Sequence, residues 1–130
     1  MVLDTSALVA ILSGEPEHEA FIQAIEQADV RLLSAATLLE ASIVIEARYG
    51  AAGAQHLDRL LERADVEIVP MDREQASTAR AGLQRFGKGR HPAALNFGDC
   101  FSYALAVTRG EPLLFKGNDF SQTDVPMARI

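Results

Sequence analysis

The chain of 130 residues has one cysteine and three histidines. A single thiol, Cys100, excludes an intramolecular disulfide, a Cys-x-x-Cys redox pair and a structural zinc site, and a free cysteine ordinarily serves as a packing residue. His18, His56 and His91 stand at no metal-binding spacing. Long apolar runs are also missing, and none approaches the ~20 residues that span a bilayer. The N-terminal stretch from Met1 to Ala10 lacks the basic start of a secretory leader and carries an early acid, Asp4. These absences point to a soluble cytoplasmic protein without membrane contact, and the length fits one domain over residues 1–130.

What is present suffices for a packed fold, with 48% hydrophobic and 23% charged residues. The formal net charge of −6 argues against nucleic acid as a partner when averaged over the surface. The charge is uneven, however. No Asp or Glu lies between Gln75 and Gly98, where Arg80, Arg85, Lys88 and Arg90 do. By itself this basic segment reads equally as a solvated helix face and loop.

Hydrophobic patterning alternates between short apolar runs and helical stretches. Val2-Leu3, residues 30–34, 66–70 and 112–115 read as strands, with 125–130 as a further edge strand. Helical patterns cover Ser6–Leu12, Glu15–Ala28, 35–50 with Gly50 just past its end, Ala52–Ala64, a stretch capped by Asp72 and ending near Phe86, and Gly98–Thr108. Residues 87–96, with two Gly and a Pro, read as a loop. This order predicts an α/β fold, a three-layer sandwich with a mostly parallel twisted sheet of four to five strands flanked by helices.

In such sheets ligands bind beyond the carboxyl ends of the strands. Four acids fall there. Asp4 ends the first strand, Asp119 lies four residues past Phe115, Asp99 stands at a helix N-terminus, and Glu40 sits early in the helix that follows the second strand. Each has an ordinary alternative: a helix cap for Asp4 and Asp99, a turn residue for Asp119. Glu40 is the hardest to dismiss. It is the only charge between Arg31 and Glu46. Ile43, Val44 and Ala47 share its helical face, with Arg48 too far round to pair with it. Carboxylates gathered in one cleft repel one another, and hard divalent cations relieve the repulsion. Such a site suits a phosphate substrate, with Asp4 and Asp99 as principal ligands, Glu40 and Asp119 completing the cluster, and Thr5, Ser6 and Asn96 orienting the carboxylates.

The segments MVLDTSALVAIL, NFGDCFSYALA and LLFKGNDFSQTD, with Glu40 in a helix between them, resemble those of PIN-domain ribonucleases, most closely the VapC-type toxins of bacterial toxin–antitoxin pairs. The resemblance covers essentially the whole chain. It implies that Asp4, Glu40, Asp99 and Asp119 match the four family acids, with Asn118 where some relatives carry an extra acid. It further implies a Mg²⁺-dependent endoribonuclease (Mn²⁺ substituting) that cuts tRNA or rRNA, a homodimer, and a cognate VapB-type antitoxin that silences it. On that reading Lys88, Arg90 and Lys116 contact the RNA backbone, Arg85 is a weaker candidate, and His91 touches RNA or moves a proton. The antitoxin would dock on apolar helical surface within Leu8–Ile25 and Leu38–Ile45. Two alternatives share the fold: a binding module without nuclease activity, and a PIN nuclease outside any toxin pair. A phosphoacceptor receiver domain wants two acids together after the first strand, and a haloacid-type phosphatase wants an acid where Ser6 stands.

Overall fold

The computed structural model describes residues 1–130. Four strands, β1 (Val2–Leu3), β2 (Leu32–Ser34), β3 (Glu67–Val69) and β4 (Leu113–Leu114), form one parallel sheet in the order β3-β2-β1-β4. Five α-helices join them: α1 (Thr5–Leu12), α2 (His18–Gln27), α3 (Ala35–Arg63), α4 (Arg73–Phe86) and α5 (Phe97–Arg109).

The three layers follow from the two-residue period of the strands. Leu3, Leu33 and Leu114 point to one face, where they pack with Leu8 of α1, Phe21 of α2 and Leu57 of α3. Their neighbours Val2, Leu32 and Leu113 point to the other, against Phe86 of α4 and Tyr103 and Leu105 of α5. Ala79 of α4 and Ala104 of α5 let those two helices approach closely, with Cys100 buried between them. Cys100 is thus the expected packing residue. Burial pushes its thiol up to about 11, so it is a poor nucleophile at neutral pH.

The helix starts are set by side chains that accept from free backbone N–H groups. Asp4 caps α1, Ser34 caps α3, Asp72 caps α4, and Asn96 caps α5. The two helical stretches expected on either side of Gly50 are both present. They run on as α3 across a kink where Gly50 takes φ 67°, a conformation that glycine adopts without penalty. The last segment departs from expectation. Residues 125–130 form no strand, only a single bridge between Met127 and Leu113. Pro126 accepts from the Leu113 N–H but has none to donate, so the ladder cannot extend on the N-terminal side of the bridge.

Burial separates core from surface in the helices expected to hold a docking face. Leu8, Phe21, Ile25 and Ile45 are core, while Leu39 and Ile43 stand 63% and 61% exposed on α3. Leu57→Ala is therefore expected to lower unfolding free energy by about 2–5 kcal/mol, and Leu39→Ala to change it by less than about 0.5 kcal/mol. Chemical denaturation distinguishes the two, and equal effects would contradict this placement of the core.

Candidate active site

The sheet order reverses direction at β1, which pairs with β2 on one side and β4 on the other. That reversal opens a crevice at the carboxyl edge. Asp4 occupies it, its N–H bonded to the Leu114 carbonyl at 3.0 Å. The side chain is 4% exposed, and both carboxylate oxygens are engaged. Oδ2 accepts from the Ser6 N–H at 3.0 Å and the Ser6 hydroxyl at 2.7 Å, and Oδ1 accepts from the Ser102 hydroxyl at 2.6 Å. Ser102 in turn lies 3.3 Å from the Thr37 hydroxyl. Three donors from two elements thus hold a buried carboxylate with no Lys or Arg hydrogen-bonded to it, the arrangement by which a protein can bury such a charge. The cap and the candidate-ligand readings of Asp4 hold together, since the same carboxylate starts α1 and faces the crevice.

Asp99 sits in the first turn of α5. Its Oδ2 accepts from the Asn96 N–H at 3.0 Å while Asn96 Oδ1 accepts from the Asp99 N–H at 2.9 Å, a reciprocal capping box. Burial pushes the Asp99 carboxyl up to about 6, against the pull of the Asn96 hydrogen bond, and the charges of Asp4, Asp119 and Glu40 add to the rise. That list of repelling neighbours is the clearest sign that four acids distant in sequence share one field. Glu40 is half-buried, with Oε1 accepting from the Thr5 hydroxyl at 2.5 Å. Its carboxylate lies directly against Gly98, where any Cβ would collide with it. Asp119 is exposed, begins a short 3₁₀ turn and makes no capping hydrogen bond with its side chain.

Asp4, Glu40 and Asp99 line a cleft of about 520 Å³ together with Thr5, Ser6, Arg48 and Lys116. Asp119 is near enough to act through its charge but does not line it. The expected orienting residues Thr5, Ser6 and Asn96 each bond one of the three acids. The structure also gives the surroundings of the other expected residues. Glu40 is only half-buried, because Ile43 on its helical face points to solvent. Arg48, two helical turns beyond Glu40, lines the same cleft but forms no ion pair with Glu40. Lys116 is ion-paired to Glu15 and Glu17, and these carboxylates hold its ammonium above the usual lysine range. His91 closes its own loop, accepting from the Ala93 N–H at 3.0 Å and packing edge-on against Phe86. Lys88 and Arg90 line a separate groove beside Asn96. Ser102 and Gly98 were missed. Ser102 lies three residues past Asp99, on the same helical face, which was a legible signal. Gly98 is explained only by the arrival of Glu40 from another helix.

The donor set fits a hard divalent cation: oxygen ligands only, in excess of neighbouring cations. No group of three Asp, Glu, His or Cys side chains is arranged to close on a metal. An open site with one or two carboxylates is the form Mg²⁺ commonly takes, leaving room for water and phosphate.

The raised Asp99 carboxyl has a consequence for the metal-free protein. The folded form holds the Asp99 proton up to about pH 6 and the unfolded form releases it near 3.8. Stability therefore falls as pH rises through that window and stays reduced above it. In EDTA, Asp99→Asn should exceed the parent in unfolding free energy at pH 7.5 by about 1–2 kcal/mol, once solvent screening is allowed for. The gap should close near pH 4. A variant no more stable than the parent at pH 7.5 would contradict the cost of holding Asp99 ionised in this buried, acidic setting.

Comparison with known proteins supports the resemblance. The PIN domain family profile matches residues 1–126. Ribonuclease VapC30 of Mycobacterium tuberculosis is 55% identical over 125 residues, which span 96% of this chain and 95% of the relative. Among solved structures, Mycobacterium tuberculosis VapC20, described as a Sarcin-Ricin loop cleaving toxin, superposes with a TM-score of 0.80 at 20% identity, covering 99% of this chain and 98% of that one. A chain of a toxin–antitoxin complex from Klebsiella pneumoniae gives 0.70 at 20% identity, covering 95% and 92%. By sequence over nearly its whole length, then, and with a fold to match, this chain belongs to the PIN-domain family, in its VapC branch.

Proposed function

We propose that this chain is the toxin of a toxin–antitoxin pair, a divalent-metal-dependent endoribonuclease that cuts structured cellular RNA, tRNA or rRNA. The observation that carries the reading is the convergence of Asp4, Glu40 and Asp99 in one cleft, with Asp119 adding to their field. The ribonuclease names of the 55% identical relatives support the RNA substrate. In this reading Asp4 and Asp99 hold Mg²⁺ (or Mn²⁺), and Glu40 and Asp119 complete the acidic cluster. When bound, such an ion supplies a more acidic water and neutralises charge on the scissile phosphate.

The protein's own residues do the positioning. Ser6 and Ser102 hold the two oxygens of Asp4 from opposite sides, so the carboxylate is fixed before any ligand arrives. The capping box does the same for Asp99, and the N-terminal field of α5 favours its ionised form. Thr5 fixes Glu40, and Gly98 leaves the space for it. Lys88 and Arg90 supply cations for the RNA backbone outside the acidic cleft. Lys116, already paired, screens the cleft wall and is released for RNA only by breaking two ion pairs. The cognate VapB-type antitoxin covers the cleft, and the protein acts as a homodimer. The exposed Leu39 and Ile43 offer an apolar helix face for a protein contact of either kind.

Purified protein should cleave RNA at discrete positions with Mg²⁺ or Mn²⁺ and not in EDTA. Asp4→Asn and Asp99→Asn should each reduce the rate by more than about 100-fold, and Ser102→Ala by about 10- to 100-fold, as expected for a group that orients a ligand. Metal-independent cutting, or parental rates in Asp99→Asn, would overturn the assignment.

A further inference from the structure

Phe97 is the most exposed large apolar side chain of the protein, at 75%. It contributes little to the core, yet it is not loose. Its ring meets Phe101 edge to face, with centroids 4.8 Å apart and planes at 78°, a geometry that favours a defined orientation. It opens α5, directly after Asn96 and two residues before Asp99.

Beside it runs a groove of about 590 Å³ whose walls include Arg80, Lys88, Arg90, Leu95, Asn96 and Phe97, and no carboxylate. None of its three cations is ion-paired, unlike Arg85, which is tied to Asp124, and Lys116. Asn96 belongs to both neighbourhoods, lining this groove while its N–H holds the Asp99 carboxylate. The groove is thus linked to the acidic cleft through the bond from Asn96 to Asp99, which lines that cleft.

We propose that Phe97 is a stacking platform and that the groove beside it, with Arg80, Lys88 and Arg90, binds an unpaired nucleotide of single-stranded or looped RNA. Placing that nucleotide next to the scissile phosphate rests on the nuclease reading above. An exposed ring held edge-on by a second ring, set among free cations, matches a nucleotide in both its parts. The base has a flat face for Phe97, and its flanking phosphates meet the three cations. Duplex RNA keeps its base faces stacked internally and gains nothing from the ring. The site therefore selects for strands that are unpaired where they cross the α5 N-terminus.

The test uses a short single-stranded oligoribonucleotide carrying 2-aminopurine, with the full-length protein in EDTA so that no cleavage intervenes. Because Phe97 is exposed, its variants are expected to fold. The parent should quench the fluorophore, Phe97→Ala should bind about 5- to 100-fold more weakly and lose the quench, and Phe97→Trp should retain both. Binding of a hairpin stem of the same length should not change among the three. Equal single-strand affinity in Phe97→Ala, or no binding by the parent at low salt, overturns the proposal. So does loss of self-association in Phe97→Ala with RNA binding intact, which would give the ring to a second copy of the chain. A parent that binds through Phe97 yet cuts no RNA with Mn²⁺ leaves the subsite standing and removes the nuclease reading. A parent that cuts while Phe97→Ala binds undiminished does the reverse.

Discussion

The carboxylate of Asp4 is buried at the point where the sheet reverses order, and the structure of the cleft depends on how that charge is held. No Lys or Arg is bonded to it. It is held instead by the Ser6 amide and hydroxyl and by Ser102, which reaches it from α5 on the far side of the strand. These bonds tie the start of α1 to the middle of α5 across β1, and so fix where the N-terminus of α5, with Asp99, stands relative to Asp4. An unpartnered buried carboxylate would cost several kcal/mol. Hydroxyl and amide donors offset that cost while leaving the charge itself unneutralised, so the cleft keeps its attraction for a cation. The Asp99 carboxyl rises to about 6 chiefly because it is buried, and the charges of Asp4, Asp119 and Glu40 add to that rise. Part of the protein's stability is given up to bury a carboxylate among like charges.

The two faces of the α5 N-terminus differ in sign. On one, Asp4, Glu40 and Asp99 crowd a cleft in which Lys116 is already neutralised by Glu15 and Glu17. On the other, Arg80, Lys88 and Arg90 are unpaired around an exposed ring. A net charge of −6 hides this division. A polyanionic strand would be repelled by the first face without a metal and attracted by the second at all times. Binding and chemistry thus have separate electrostatic origins, joined at Asn96.

Much of this was legible in the sequence. The apolar pairs Val2-Leu3, Leu32-Leu33 and Leu113-Leu114 each feed both faces of a covered sheet, as a parallel α/β fold demands. Asp4, Glu40 and Asp99 were recognisable because each follows a strand or opens a helix on the ligand-binding edge. What could not be read depended on contacts between elements. Arg48 lines the cleft two turns along α3 from Glu40, Lys116 is paired because Glu15 and Glu17 lie beside it just before α2, and Gly98 is small because Glu40 arrives from another helix. Glu40 is only half-buried despite its apolar neighbours for a related reason. Periodicity names a helix face but does not say whether anything packs on it, and nothing in this chain packs over Ile43. The expected C-terminal strand is reduced to one bridge, and Pro126, lacking an N–H, closes its N-terminal side.

The central claim is that Asp4 and Asp99 together make a binding site for a hard divalent cation. Titration calorimetry of Mn²⁺ into the parent protein, Asp4→Asn and Asp99→Asn at pH 7.5 tests it without reference to any substrate. Saturable binding by the parent that is lost in both variants is the predicted result. Absence of binding to the parent, or equal affinity in the variants, would contradict it.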